Sequence, residues 1–394
     1  MQNISSTEKA ARSEPLKVRA QLASCANQLG LSIMGVTSAE PFTEGAEAAS
    51  TRLNDGFMAD LPWYTQERIE RGKDPKVMLP GARSVISVAT VYPSIRPDHA
   101  KGAGRVARYA WGRDYHNVLK KRLKQLIARL SEQLERPIAH KIYVDDGPML
   151  DREVARRAGV GFFGKNTMIL TQAGSWTLLG QIITDLELTS DAPSQKSCGT
   201  CTNCMPACPT GAIVAPYVID SNRCISYLTI EHRGPIAREL RSLIGDWMFG
   251  CDLCQEACPV NEVRGDATPD DAFASNPDWS SLDPAAVLNL DEESFRAKFQ
   301  GNPIRRATWE GLRRNACIVL GNLADKTAVP VLTSTLNDAS ALVRGHAAWA
   351  LGKLGGVDAE NALVDAQRTE YDSWVLEEIK LAITPTTKQE NPDA

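Results

Sequence analysis

Along the first 30 positions, apolar residues recur at helical spacing. Leu16, Ala20, Ala23 and Leu29 share one face and Gly30 ends the run, which predicts an amphipathic helix over 1–30. Residues 31–36 read as a short strand. Residues 84–92 read as a buried strand, apolar or small at nearly every position and stopped by Pro93. From Asp114 to about Leu134, Val118, Leu119, Leu123, Leu126, Ile127 and Leu130 return on one helical face. A strand over 138–144 follows, and Asp145-Asp146-Gly147 turns out of it. Pro148 takes the favoured first position of a helix that Gly159 closes. Strand-like material returns over 175–188. Strands alternating with helices predict an α/β domain over 1–190.

Beyond residue 190 the pattern changes. Residues 191–265 hold the cysteines. Residues 266–302, with Pro269, Pro277 and Pro284 among acids and serines, read as a connector. From 303 to 385 the chain is helical and repeats itself. Arg313-Arg314-Asn315-Ala316-Cys317-Ile318-Val319-Leu320-Gly321-Asn322-Leu323 matches the segment from Arg344 to Leu354 at an offset of 344 − 313 = 31. Small packing residues and a terminal glycine in both copies resemble a HEAT-like all-α repeat, whose units must stack to bury an apolar face.

Composition narrows the function classes. The chain has 394 residues, 43% hydrophobic and 23% charged, the usual globular mix. A net charge of −4 excludes a wholly basic nucleic-acid coat but not a local basic face. No apolar run of about 18 residues offers a membrane span. The first residues lack the apolar core of a secretory signal, so a cytoplasmic location is expected.

Eight of the ten cysteines fall between Cys198 and Cys258. Cys198-x2-Cys201-x2-Cys204-x3-Cys208-Pro209 is the ferredoxin run for a four-iron cluster, and Cys251-x2-Cys254-x3-Cys258-Pro259 nearly repeats it, with Cys224 upstream. A tight loop aims three thiolates at three corners of a cube, and the cysteine beyond the loop serves the other cluster. The spacing predicts two [4Fe-4S] clusters in a ferredoxin-like domain over 191–265. One takes Cys198, Cys201, Cys204 and Cys258; the other takes Cys208, Cys224, Cys251 and Cys254. Paired Cys-x2-Cys motifs also serve zinc, but the repeated run ending in Cys-Pro favours iron. Such clusters alone make an electron carrier; within so long a chain they are expected to feed another centre.

The first 190 residues hold the candidate acceptor site. They contain neither Gly-x-Gly-x-x-Gly after a strand nor a Gly-x-x-x-x-Gly-Lys-Ser/Thr loop. None of the five histidines stands at zinc-ligand spacing from another. A carboxylate where a buried strand ends is well placed for proton transfer, but by residue type alone the cap of the next helix is the favoured role of Asp145 or Asp146.

The turn Val144-Asp145-x-Gly147-Pro148, the run Gly161-x-x-Gly164-Lys165-Asn166 and the segment from Arg108 to His116 combine with the ferredoxin runs and the HEAT-like tail. Together they resemble the epoxyqueuosine reductases, over about residues 30–360. The resemblance implies a cobalamin-binding first domain, akin to that of reductive dehalogenases, beside the two clusters. It implies a tRNA substrate bearing epoxyqueuosine at the wobble position, two-electron deoxygenation of the epoxide to an alkene, and an external low-potential electron donor. Asp145 matches the family's proton donor; Asp146 stands where a small hydroxyl residue is usual, and Ala107 where some relatives have cysteine. Asp114-Tyr115-His116 lacks the later glycine of other cobalamin signatures, so His116 is not expected on cobalt. By motif position Arg71, Arg108, Asp145, Arg152, Lys165, Asn166, Thr167 and Ser226 are the expected cobalamin contacts. For RNA phosphates the expected set is Lys101, Arg105, Arg108, Arg113, Lys120, Lys121, Arg122 and Lys124, with Arg305, Arg306, Arg313, Arg314, Arg344 and Lys353 on the repeats. A monomer with no membrane contact is expected. The rival readings are a small-molecule reductase of the dehalogenase kind and a ferredoxin-type carrier with a helical interaction tail.

Overall fold

A computed structural model describes residues 6–31, 33–93, 102–264 and 270–383. The chain forms two compact units, neither continuous in sequence. The first comprises 1–96, 112–222 and 252–275; the second comprises 97–111, 223–251 and 276–394. These units cut across the sequential divisions at 190, 265 and 302.

The first unit is built on a four-stranded sheet in the order Ile33–Ser38, Ser84–Val91, Thr177–Thr184, His140–Tyr143. The alternation of strands and helices is present, yet every pairing is antiparallel. The parallel ladder that alternation usually signals is therefore replaced by an antiparallel one. Both faces of the central strands are covered. Helix Tyr115–Gln133, capped by the Asp114 carboxylate, buries Leu119, Leu123, Leu126, Ile127 and Leu130, and Leu123 meets Gly180 of the sheet. On the opposite face, Val154 of helix Asp151–Arg157 packs with Val85, Ile183 and Met149.

Three local expectations are corrected. In helix Ser6–Gln28 the buried face is Leu22, Cys25 and Ala26, with Leu16 60% exposed and Ala20 exposed. The helix packs on helix Tyr115–Gln133, and the stripe read from Leu16 and Ala20 lies on its solvent side. The helix after the Asp145 turn begins at Asp151, and its capping position is Leu150 without a side-chain bond. Pro148 lies outside it, and neither Asp145 nor Asp146 caps it. The edge strand is His140–Tyr143, shorter than 138–144.

In the second unit, helices Trp309–Leu323, Ala341–Leu354 and Ser373–Ile383 stack in series. Gly321 lies against Ala350, and Gly352 against Ala382. The absence of Cβ atoms lets the backbones approach, and the third helix extends the two-copy repeat to three. From residue 270 on, the segment read as a connector forms short helices and packs. Asn276 and Asp283 cap helices Pro277–Ser280 and Pro284–Leu288, each with proline at its start, where the missing N–H costs nothing. Phe295 and Phe299 are buried; Pro269 lies outside the described residues. A small sheet joins Gly104–Val106 to Trp247–Phe249 in parallel and to Ser281–Leu282 antiparallel.

Candidate functional site

The edge strand His140–Tyr143 delivers Asp145 into a turn with φ +51° at Asp145 and φ +74° at Gly147. Asp tolerates this left-handed region better than most residues. The Tyr115 hydroxyl donates to Asp145 Oδ2 at 2.6 Å. Asp146 points elsewhere: its Oδ1 accepts from the Val144 N–H at 2.7 Å and its Oδ2 pairs with Lys120 Nζ at 2.5 Å. The two adjacent carboxylates thus have separate partners, a hydroxyl for Asp145 and an ammonium for Asp146.

Asp151 opens the next helix. Its Oδ1 is closed off from solvent and has no hydrogen-bond partner among the described residues, although the residue keeps partial exposure. Burial pushes its carboxyl well above the usual Asp range, and the nearby Asp145 charge adds to this. Gln181, buried in the central sheet opposite Ser87, donates to the Asp151 carbonyl at 3.2 Å.

Arg152, one residue on, reaches the loop of the hairpin formed by Gly161–Phe163 and Ile169–Thr171. Its Nη1 donates to Thr167 O at 2.9 Å and to Thr167 Oγ1 at 2.8 Å. From that loop Asn166 Nδ2 donates to Cys254 O at 3.2 Å, and Lys165 Nζ to Gly199 O at 2.8 Å. One hairpin loop therefore touches both cysteine runs on one side and the helix following Asp145 on the other. Arg71 is exposed on helix Gln66–Lys73, where its charge opposes the burial that raises the Tyr143 hydroxyl.

Cys198, Cys201, Cys204 and Cys258 lie close enough to feel one another. Burial raises the Cys204 thiol and the charge of Cys198, Cys258 and Cys201 adds; Cys258 is raised by burial, with Cys198 and Cys201 contributing. Phe162 and Leu170 of the hairpin pack on Cys258 and Cys198. Cys208 Sγ accepts from the Ala212 N–H at 3.3 Å. Among the described residues no three Cys, His, Asp or Glu side chains converge as a single-ion site; a cube of four irons instead takes its thiolates at separate corners.

Arg108, Ser226, Cys224 and Cys251 belong to the second unit. Arg108 is buried, with its guanidinium 5.7 Å from the Trp111 ring. Ser226 sits in the first turn of helix Ile225–Ile230, for which Cys224 is the capping residue. His116 is engaged with Asp114 at 2.7 Å and stacks on Tyr115. Tyr115, Lys120 and Gln181 were absent from the site read from sequence; the first two lie in motif or basic runs, but nothing in their spacing signals their carboxylate partners.

The basic sets need correction. Lys120 pairs with Asp146, Arg122 with Asp270, and Arg105 lies over Trp247 near Asp246. Lys101 lies outside the described residues. On the repeats, Arg313 pairs with Asp338 and Arg344 with Glu370, both buried. Arg314, 1% exposed, donates to the carbonyls of Leu228, His232 and Gly234. Arg306 pairs with Glu231, and Lys353 binds Ser242 and Asn322. Buried guanidinium groups hold the repeats together and cannot face RNA.

Three family models match the chain: a 4Fe-4S double cluster binding domain over 197–261, epoxyqueuosine reductase QueG over 73–146, and HEAT repeats over 304–384. An epoxyqueuosine reductase of Xanthomonas campestris is 38% identical over 358 residues, covering 88% of this chain and 98% of the relative. A crystal structure of an epoxyqueuosine reductase with an epoxyqueuosine-modified tRNA-Tyr stem loop superposes with TM-score 0.88 at 33% identity, covering 94% of this chain and 99% of that one. A Bacillus subtilis epoxyqueuosine reductase with its catalytic aspartate loop swung out of the active site gives the same TM-score, identity and coverage. No described helix is long and apolar enough to cross a membrane. With relatives this similar along nearly their whole length, the chain belongs to the epoxyqueuosine reductase family of oxidoreductases.

Proposed function

We propose that this chain reduces epoxyqueuosine to queuosine at the wobble position of tRNA, consuming two electrons and two protons per epoxide and releasing water. The observation that carries the reading is the set of contacts running from Arg152, on the helix that follows the Asp145 turn, to Thr167, and from Asn166 and Lys165 of the same loop to Cys254 and Gly199. It couples a carboxyl group at a turn to the loops of an electron-transfer domain. The relative crystallised with a modified tRNA stem loop supports the substrate.

The cysteine sets keep their roles: Cys198, Cys201, Cys204 and Cys258 for one cluster, Cys208, Cys224, Cys251 and Cys254 for the other. The thiol-rich surroundings of Cys204 and Cys258 fit a cluster. Cobalamin, when bound, supplies a low-potential metal centre able to transfer electrons to the substrate. The exposed guanidinium groups of Arg71 and Arg152 suit the phosphate and amide groups around a corrin, and Gln181 Oε1 is a buried acceptor without a hydrogen-bond partner among the described residues. Lys165, Asn166 and Thr167 are already engaged within the chain, so their part is to hold the loop that borders the cofactor. Arg108 and Ser226 complete the proposed contacts.

Asp145 is the catalytic acid in this reading. Tyr115 fixes one carboxyl oxygen, so the other is free to meet the substrate oxygen and protonate it as the ring opens. General acid assistance is worth roughly 10²–10⁴-fold. Asp145→Ala should therefore lose turnover by about that factor while retaining cofactor and tRNA, with Asp146→Ala close to wild type. Metal analysis of anaerobically purified protein should find about eight irons together with cobalt. Equal turnover of wild type and Asp145→Ala removes the acid role; iron without cobalt restores the electron-carrier reading.

A further inference from the structure

Deoxygenation of an epoxide needs two protons on the same oxygen, one to open the ring and one to release it as water, whereas a single carboxylic acid supplies one. The surroundings of Asp145 contain a second acid that the reaction above does not use. Asp151 opens helix Asp151–Arg157, and its Oδ1 is buried with no hydrogen-bond partner among the described residues. A bare carboxylate in such a place is costly, and protonation removes most of the cost. The groups around it sharpen this. Asp145 and Asp146 are acidic; Lys120 is committed to Asp146 and Tyr115 to Asp145. Arg152 on its own helix turns to Thr167. Tyr143, on the edge strand, is held neutral by burial. The strands beneath, Ser84–Val91 and Thr177–Thr184, offer only uncharged Ser87 and Gln181 at this spot, and Gln181 takes the Asp151 carbonyl rather than its carboxyl. The start of a helix favours an anion, yet here burial and the neighbouring Asp145 charge outweigh it.

We propose that Asp151 is a reserve acid that reloads Asp145 with the second proton of each turnover. The inference rests on the role of Asp145 stated above. Asp145 gives its proton to the epoxide oxygen as the C–O bond breaks. Asp151 then passes its own proton to the Asp145 carboxylate. Asp145 protonates the departing hydroxyl, which leaves as water while the alkene forms. Both electrons come from the low-potential donor by way of the clusters, and both carboxylates regain protons from solvent afterwards. Asp151 acts through Asp145, so it is a positioning and relay residue and touches no substrate.

Asp151→Asn keeps the shape and removes the transferable proton; Asp151→Glu keeps the proton. In the holoenzyme Asp151→Asn should turn over roughly ten- to a hundred-fold more slowly, less than the loss of the acid itself because solvent still reloads Asp145, with tRNA affinity, iron and cobalt unchanged. Its rate should rise with the concentration of a small acidic buffer such as imidazolium, because buffer must then reload Asp145. Asp151→Glu should restore most of the wild-type rate without buffer. Independently of turnover, the infrared spectrum of the resting protein near neutral pH should contain a protonated-carboxyl band that Asp151→Asn removes. Unchanged turnover in Asp151→Asn, a slow rate that buffer does not lift, loss of cofactor or tRNA binding, or a wild-type spectrum without that band would each overturn the relay. Asp145→Asn, run alongside, separates the two claims: full turnover there removes the acid role of Asp145, while its loss with a normal Asp151→Asn removes only the relay.

Discussion

Gly72 matters to the site through what it lacks. A Cβ on this helical residue would lie 1.8 Å from the Pro148 carbonyl oxygen, in the turn that carries Asp145. In an ordinary helix interior, glycine to alanine gains up to about 1 kcal/mol. Here the opposing atom is backbone, so the turn must move and Asp145 with it. Misplacement of about 1 Å costs on the order of 10²-fold in rate. Gly72→Ala should therefore lower turnover at least ten-fold while iron content is retained, a combination that steady-state kinetics and metal analysis can check. The turn itself was legible in sequence, because Asp-Asp-Gly-Pro after an apolar strand has few other uses. The partners were not. Tyr115 and Asp145 are 30 residues apart, and Lys120 and Asp146 are 26 apart. Their pairing exists only once helix Tyr115–Gln133 lies across the sheet. The cap reading of Asp145, which the residues alone favour, fails because the helix starts six residues later, at Asp151.

At the scale of elements, the 31-residue offset revealed the repeat, but its arginines read as a charged surface. The structure gives them another use. Arg313 pairs with Asp338, 25 residues on, and Arg344 with Glu370, 26 residues on. Each guanidinium also lies over an aromatic ring, Trp309 at 4.6 Å and Tyr371 at 5.4 Å. The recurring buried pair is a register device between successive repeats. Sequence could not show it because the acid lies outside the matching segment. Arg344 holds the Glu370 carboxyl below its ordinary value of 4.5, chiefly through their hydrogen bond. A lowered acid contributes stability that is complete above that value and is lost as pH falls below it. Arg344→Met should leave Glu370 with only the backbone N–H groups of Tyr371 and Asp372 as partners, costing roughly 1–3 kcal/mol at neutral pH. The cost should shrink as the medium is acidified and Glu370 takes a proton. Thermal melts of both proteins from pH 7 to 4 give the comparison; a constant difference contradicts the pairing argument.

Over the whole molecule, a net charge of −4 has to be reconciled with an RNA substrate. Total charge decides little, since phosphate binding depends on which cations remain available at the surface. Most of the basic residues that crowd the sequence are committed internally: Arg313, Arg314 and Arg344 within the repeats, Arg122 to Asp270, Lys120 to Asp146. Arg113, Lys121 and Lys124 in the first unit are instead exposed. Helical spacing explains the division: Lys120 lies toward the Asp146 turn, while Lys121 and Lys124, three apart, share another side of the same helix. If these two neutralise tRNA phosphates, each releases counterions, and their joint replacement has a defined signature. The double variant Lys121→Ala, Lys124→Ala should bind the tRNA stem loop more weakly at low salt. The slope of log affinity against log salt should flatten by about 0.7–0.9 for each phosphate that is no longer neutralised. Turnover at saturating tRNA should stay near wild type, because neither residue touches Asp145 or the cysteine loops. An unchanged salt slope in the double variant would assign phosphate binding to other residues and return Lys121 and Lys124 to an ordinary solvated helix face.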